Sequence, residues 1–207
     1  MLEIVLLGLN HKTAPIEIRE CLAVSKDETE AMLDAMKEPD SINEVVLFST
    51  CNRVEILMVV NDKTKAVETI KKQLSTFKSV PLSKFEQSIY VYEGEEAVRH
   101  IFRVASSLDS MMIGEPQILG QIKEAYLIAT KRKTSGVVLN RLLHRTFFVA
   151  KRVRTETGIG SSAVSISYAA IELARKIFGL LEGKKVRLIG AGEMAELAAE
   201  HLVHHKV

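Results

Sequence analysis

Apolar positions follow two rhythms along this chain. Nearly continuous apolar runs at residues 2–9, at Val45-Val46-Leu47-Phe48 and at Ile56-Leu57-Met58-Val59-Val60 predict buried strands, and Ile89-Tyr90-Val91-Tyr92 predicts a further one. Between them the spacing turns helical. Met32, Leu33 and Met36 follow Ser25-Lys26-Asp27-Glu28, which fits a capping box, and Val67, Ile70 and Leu74 share one side of a helix over 62–77. The segment Gly8-Leu9-Asn10-His11-Lys12-Thr13-Ala14-Pro15 reads as a turn, because Pro15 disfavours helical geometry at Ala14. Three helical segments follow, at 95–107, 116–133 and 137–155. The interleaved order predicts an α/β fold with a small, mainly antiparallel sheet, of the compact α/β plait (ferredoxin-like) kind, with additional helices.

The pattern changes after Thr155. Gly158-Ile159-Gly160-Ser161-Ser162 reads as a hinge, residues 164–178 as an apolar helix, and residues 185–189 as a strand entering Gly190-Ala191-Gly192-Glu193-Met194-Ala195. Strand, Gly-x-Gly-x-x-Ala turn and helix together are the context of a dinucleotide site. The glycines permit a tight turn and close approach of a pyrophosphate to a helix N-terminus, and Ala195 permits close helix packing. The residue that would select the cofactor is expected about twenty positions further on, and the chain stops at Val207. The expectation is therefore a domain at 1–157 followed at 158–207 by the start of a truncated Rossmann-type dinucleotide-binding domain.

Composition narrows the setting. The chain has 207 residues, 47% of them hydrophobic, enough for a substantial core. Two cysteines, Cys21 and Cys51, are too few for a disulfide framework and fit a reducing compartment. No segment reads as a membrane span and the start has no basic n-region, so a cytoplasmic location is expected. The net charge of +2 hides an asymmetry. Residues 26–44 are strongly acidic, whereas between Ala125 and Arg154 eight lysines and arginines, Lys131 to Lys133 and Arg141 among them, meet no acidic residue. Such a stretch suits phosphates, or it is a solvated helix face.

The candidate chemistry centres on Ser49-Thr50-Cys51-Asn52-Arg53-Val54-Glu55, which sets a thiol where a strand gives way to a turn. Thiolate is the reactive form of cysteine and a nearby guanidinium favours it, so Arg53 beside Cys51 suits a nucleophile; a small buried core residue is the alternative. His100 lies on an amphipathic helix, as a boundary residue or as a base or proton donor. Ser110 to Gln117 form a loop into a helix with Pro116 in its first turn, and Gln117, Gln121 and Glu124 share a face that could hold a small polar substrate or simply cap the helix. His201, His204 and His205 are not grouped with Cys, Asp or Glu partners, so no metal site is expected.

These motifs, together with Ser107-Leu108-Asp109-Ser110-Met111 and Gly114-Glu115-Pro116-Gln117-Ile118-Leu119-Gly120-Gln121, resemble those of glutamyl-tRNA reductase. The resemblance runs through the whole chain, with a conservative variation at Met111-Met112-Ile113. It implies NADPH-dependent reduction of glutamyl-tRNA(Glu) to glutamate-1-semialdehyde through a Cys51 thioester, the first step of tetrapyrrole synthesis. By the same likeness His100 contributes to activity, and Thr50, Asn52, Arg53, Ser110, Glu115, Pro116, Gln117 and Gln121 bind substrate. Arg53 would meet the side-chain carboxylate and Glu115 the α-ammonium, while Gly190, Ala191, Gly192, Glu193, Met194 and Ala195 carry the cofactor phosphates. The resemblance further implies a fragment limited to acyl transfer and ester hydrolysis, a full-length homodimer formed through a C-terminal domain, and handover of product to an aminomutase. Two other readings compete. A non-catalytic module binding tRNA or a regulator would leave Cys51 structural, and a thiol-dependent aldehyde dehydrogenase would not explain the basic helices.

Overall fold

The computed structural model describes residues 2–159, 166–190 and 193–204. Strand β1 (Glu3–Asn10) is followed by helices α1 (Ile16–Leu22) and α2 (Lys26–Lys37), the hairpin β2 (Ile42–Ser49) and β3 (Arg53–Val60), and helix α3 (Lys63–Lys78). Two single 3-10 turns lead to β4 (Tyr90–Glu93), then α4 (Gly94–Ala105), α5 (Gln117–Lys131) and α6 (Val137–Glu156). Helices α7 (Ile166–Phe178) and α8 (Glu193–His204) complete the described chain.

The sheet runs β2-β3-β1-β4 with every neighbouring pair antiparallel. All of β3 is buried, so helices cover both faces of the sheet at its centre. Arg53 and Glu55, two apart on β3, share the face turned toward α4, as the pleat requires. Gly8 lies opposite Glu55 in the register. A Cβ there would stand 2.6 Å from Glu55 Cγ and 2.8 Å from the Val54 carbonyl, so the glycine makes room for a buried carboxylate.

Helix ends follow the local chemistry. Ser25 and Glu28 close the expected capping box on α2, and Asp62 caps α3. Glu44 on β2 accepts from the amides of Gly136, Val138 and Leu139 at 3.0, 3.0 and 2.7 Å, which caps α6 from another element and places a carboxylate at its positive end. The acidic stretch and part of the basic one meet: Lys131 pairs with Glu30 at 3.1 Å, and Arg132 forks onto Asp34.

Two readings need revision, and a third lies partly outside the described residues. Helix α1 was not anticipated, although Pro15 directly before it is a helix-start signal. Residues 185–189 form no strand, since no described residue pairs with them and an extended segment without a ladder is not a strand. The apolar helix expected over 164–178 is described only from Ile166, and Gly160, Ser161 and Ser162 of the expected hinge, with Val164, lie outside the described residues. No helix among the described residues is long and apolar enough to cross a membrane.

Candidate active site

The turn between β2 and β3 is tied down at every residue. Thr50 donates its amide to the Arg53 carbonyl at 2.8 Å, and its Oγ1 accepts from the amides of Asn52 and Arg53 at 3.2 Å each. From the β1–α1 turn, the His11 amide reaches the Asn52 carbonyl at 2.9 Å. From α1, Arg19 Nη1 donates to the Cys51 carbonyl at 2.8 Å and to Asn52 Oδ1 at 2.9 Å. Cys51 therefore stands exposed on a fixed loop. Partial desolvation, then the Glu115 carboxylate, push its thiol above the usual cysteine value, and Arg19 opposes them more weakly.

Arg53 is not the cation at the thiol. It is 1% exposed and turned inward, donating to Glu55 Oε1 at 2.8 Å and to the Asp109 carbonyl. The same Glu55 oxygen lies 2.7 Å from His100 Nε2 and accepts from the Tyr90 hydroxyl. An ionised carboxylate only accepts, so His100 Nε2 carries the proton. Burial pushes Glu55 upward, but His100 and Arg53 outweigh it and hold the carboxyl below the usual glutamate value. Tyr90 is driven the other way by burial and by Glu55, so its phenol stays protonated. Asp109, also buried, completes the cluster by pairing with Lys12.

The loop from Ser107 to Pro116 brings the second set of side chains. Ser107 Oγ donates to the Glu115 carbonyl at 2.5 Å, and Arg154 from α6 donates to the carbonyls of Gly114 and Glu115 at 3.3 and 3.2 Å. Glu115 is thereby held within electrostatic reach of Cys51. Ser110 Oγ is buried without a partner among the described residues. Pro116 occupies the N-cap of α5 and Gln117 its first position, while Gln121, one turn on, lines a small cleft with Ser49 at the end of β2. A separate cleft of about 230 Å³ lies beside the buried cluster and includes Lys12, Tyr92, His100 and Arg103.

The structure thus gathers Thr50, Cys51 and Asn52 with Glu115 at the surface, and joins Arg53 to His100 beneath through Glu55. Arg19, Glu55, Lys12, Asp109 and Tyr90 were not singled out from sequence as members of a site. Glu55 carried the clearest signal, a carboxylate two positions from an arginine on one face of a buried strand.

In the dinucleotide segment, Ala191 and Gly192 lie outside the described residues. Gly190 has φ 116° with open space where a Cβ would project, and α8 begins at Glu193, followed by Met194 and Ala195. A glycine-only conformation leading into a helix N-terminus fits a phosphate-binding turn. His201 stacks edge-on against Tyr168 at 5.6 Å, and His205 lies outside the described residues.

Residues 7–157 match the family described as Glutamyl-tRNAGlu reductase, N-terminal domain. Residues 172–207 match the family described as Shikimate / quinate 5-dehydrogenase. The chain is 62% identical over 205 residues to the glutamyl-tRNA reductase of Desulfatibacillum aliphaticivorans, covering 99% of this chain and 47% of that protein. It is 56% identical over 204 residues to that of Syntrophobacter fumaroxidans, covering 98% of this chain and 44% of that protein. A solved structure of glutamyl-tRNA reductase from Methanopyrus kandleri superposes with a TM-score of 0.70 at 37% identity, covering 99% of this chain and 47% of that one. The chain spans about half the length of the curated relatives it matches. By these matches the chain belongs to the glutamyl-tRNA reductase family.

Proposed function

We propose that this chain carries the acyl-transfer half of an NADPH-dependent reduction of glutamyl-tRNA(Glu) to glutamate-1-semialdehyde, the first step of tetrapyrrole synthesis. The observation that supports it most is an exposed cysteine on a loop fixed by Arg19 and within electrostatic reach of Glu115. The order β1-α1-α2-β2-β3-α3-β4, a βαββαβ plan with one extra helix after β1, and strands in the order 2-3-1-4 support reading residues 1–157 as a plait-type catalytic domain. The positive φ of Gly190, three positions before α8 begins, supports reading residues 158–207 as the start of a Rossmann-type domain.

At rest the raised thiol is protonated, which protects it from adventitious chemistry. Burial raises the thiol most and the Glu115 carboxylate adds to it; the substrate's α-ammonium, paired with Glu115, cancels that second contribution. Substrate binding thus favours the thiolate where it is needed. Sγ attacks the ester carbonyl carbon, the carbon–oxygen bond to the terminal ribose breaks, and a proton passes to the departing hydroxyl. A thioester remains on Cys51. Thr50, Asn52, Ser110, Pro116, Gln117 and Gln121 surround the acyl group, and Lys12 and Arg19 supply cations toward its carboxylate. Arg53 and His100 act from beneath, held by Glu55. Gly190, Ala191, Gly192, Glu193, Met194 and Ala195 would hold NADPH, which when bound supplies hydride to the acyl carbon.

A soluble cytoplasmic enzyme, dimeric at full length and passing its aldehyde to an aminomutase, accords with this reading. Without hydride, water hydrolyses the thioester, so the chain should release glutamate from glutamyl-tRNA. Release that persists undiminished in Cys51→Ser would refute the proposal, and Cys21→Ser serves as the control.

A further inference from the structure

Of the eight basic residues between Ala125 and Arg154, the fold occupies four. Lys131 and Arg132 pair with the acidic helix α2, Arg152 with Glu156 at 2.7 Å, and Arg154 with the loop carbonyls of Gly114 and Glu115. Arg141 and Arg145 meet no carboxylate among the described residues. They lie one helical turn apart on α6, opposite its buried side of Leu139, Leu143, Thr146 and Ala150. Phe148 continues the same face and is 49% exposed. Arg145 sits 5.0 Å and Arg152 5.8 Å from its ring centroid. Asn140 and His144 complete a shallow groove with Arg141, Arg145 and Phe148.

We infer that this face of α6 is an RNA-docking surface, in which Arg141 and Arg145 take consecutive phosphates and Phe148 takes the face of an unpaired base. The inference rests on the reading of the chain as acting on an aminoacyl-tRNA, and it specifies where the RNA lies. Three features favour RNA over a protein partner. The charge has a single sign from Val137 to Thr155. An exposed ring between guanidinium groups offers the stacking platform on which bases settle irrespective of sequence. The stretch from Arg141 to Arg152 spans about 16 Å at the helical rise, enough for several phosphates.

The placement also has a mechanical consequence. The far end of the same helix carries Arg154, whose guanidinium holds the loop bearing Glu115. RNA bound along α6 would therefore contact a helix whose far end holds the loop that carries Glu115.

The test uses the 207-residue chain with uncharged tRNA(Glu), measuring affinity by fluorescence anisotropy at several salt concentrations. Acyl transfer to Cys51 from a small glutamyl ester is measured in parallel. Arg141→Gln with Arg145→Gln should weaken RNA binding at least about tenfold and flatten the slope of log K against log salt by about 2. Arg141→Lys with Arg145→Lys should retain the slope, and Phe148→Ala should weaken binding about tenfold with little change in slope. The small-ester reaction should be unchanged in all three.

Unchanged RNA affinity in folded Gln variants, or no RNA binding by the parent chain, overturns the docking surface. If the small-ester reaction persists in either case, the catalytic reading survives. Its loss in the parent chain as well would overturn both. A changed sedimentation coefficient in the Gln variants with unaltered RNA affinity would make the face a protein interface and overturn the inference.

Discussion

One oxygen of Glu55 lies 2.8 Å from Nη1 of Arg53 and 2.7 Å from Nε2 of His100, so a single buried carboxylate holds both groups in place. Its second oxygen has no partner among the described residues. Glu55 is thus a positioning residue: it touches no surface, yet it fixes the imidazole's proton on Nε2 and leaves the other ring nitrogen available.

Glu55→Gln should therefore cost up to about 3–5 kcal/mol, because the buried Arg53 guanidinium loses its nearer counter-charge and keeps only the Asp109 carboxylate at 3.6 Å. Urea denaturation measures this directly. The pH dependence has a definite sign. The folded pKa lies below the ordinary value, so the contribution is complete above about pH 4.3 and is lost as pH falls through the lower folded pKa. The variant should lack that acid-induced loss.

Arg19→Met should free the Cys51–Asn52 turn, since it removes two charge-assisted bonds to the Cys51 carbonyl and Asn52 Oδ1. A stability loss of about 1.5–3 kcal/mol is expected. Because a misplaced nucleophile is costly, acyl transfer should slow by about tenfold or more. Thermal unfolding and single-turnover transfer separate the two effects.

Glu115→Gln should move the alkylation profile of Cys51 to lower pH, because the neutral amide no longer opposes the thiolate. Iodoacetamide should then react faster at neutral pH. Acyl transfer from glutamyl substrates should nevertheless slow, since the α-ammonium has lost its partner. Faster alkylation together with slower transfer is the signature. A parallel rise in both would remove Glu115 from substrate binding.

Glu44→Ala should destabilise the chain by about 2 kcal/mol, at the upper end for a helix cap, because three amides at the start of α6 lose a charged acceptor. Gly136→Ala tests the same contact from the other side, since a Cβ there would stand 2.7 Å from Glu44 Oε1. Both variants should lower the melting temperature and leave the Cys51 alkylation rate unchanged.

Local patterns in the sequence reached as far as local interactions determine structure. The hairpin around Cys51, the Ser25–Glu28 box and α3 each depend on neighbours in the chain, and they are legible for that reason. What escaped depends on distant contacts. Arg19 acts 32 positions along the chain, at the Cys51 carbonyl, where no local pattern points. Arg53 was assigned to the thiol by proximity in sequence, but strand alternation turns it inward toward Glu55 and Asp109. The segment 185–189 has the composition of a strand, yet a strand exists only through its ladder. The charge asymmetry was visible at once, whereas its partial cancellation between α2 and the end of α5 required the tertiary structure.

In the proposed reaction Cys51 accepts the glutamyl group. Intact-mass spectrometry after brief mixing with glutamyl-tRNA, at low pH quench, tests it most directly. The parent chain should carry a single glutamyl adduct, mapped to Cys51, and Cys51→Ser should carry none. An adduct that survives in Cys51→Ser, or its absence from a folded parent chain that binds the tRNA, would contradict it.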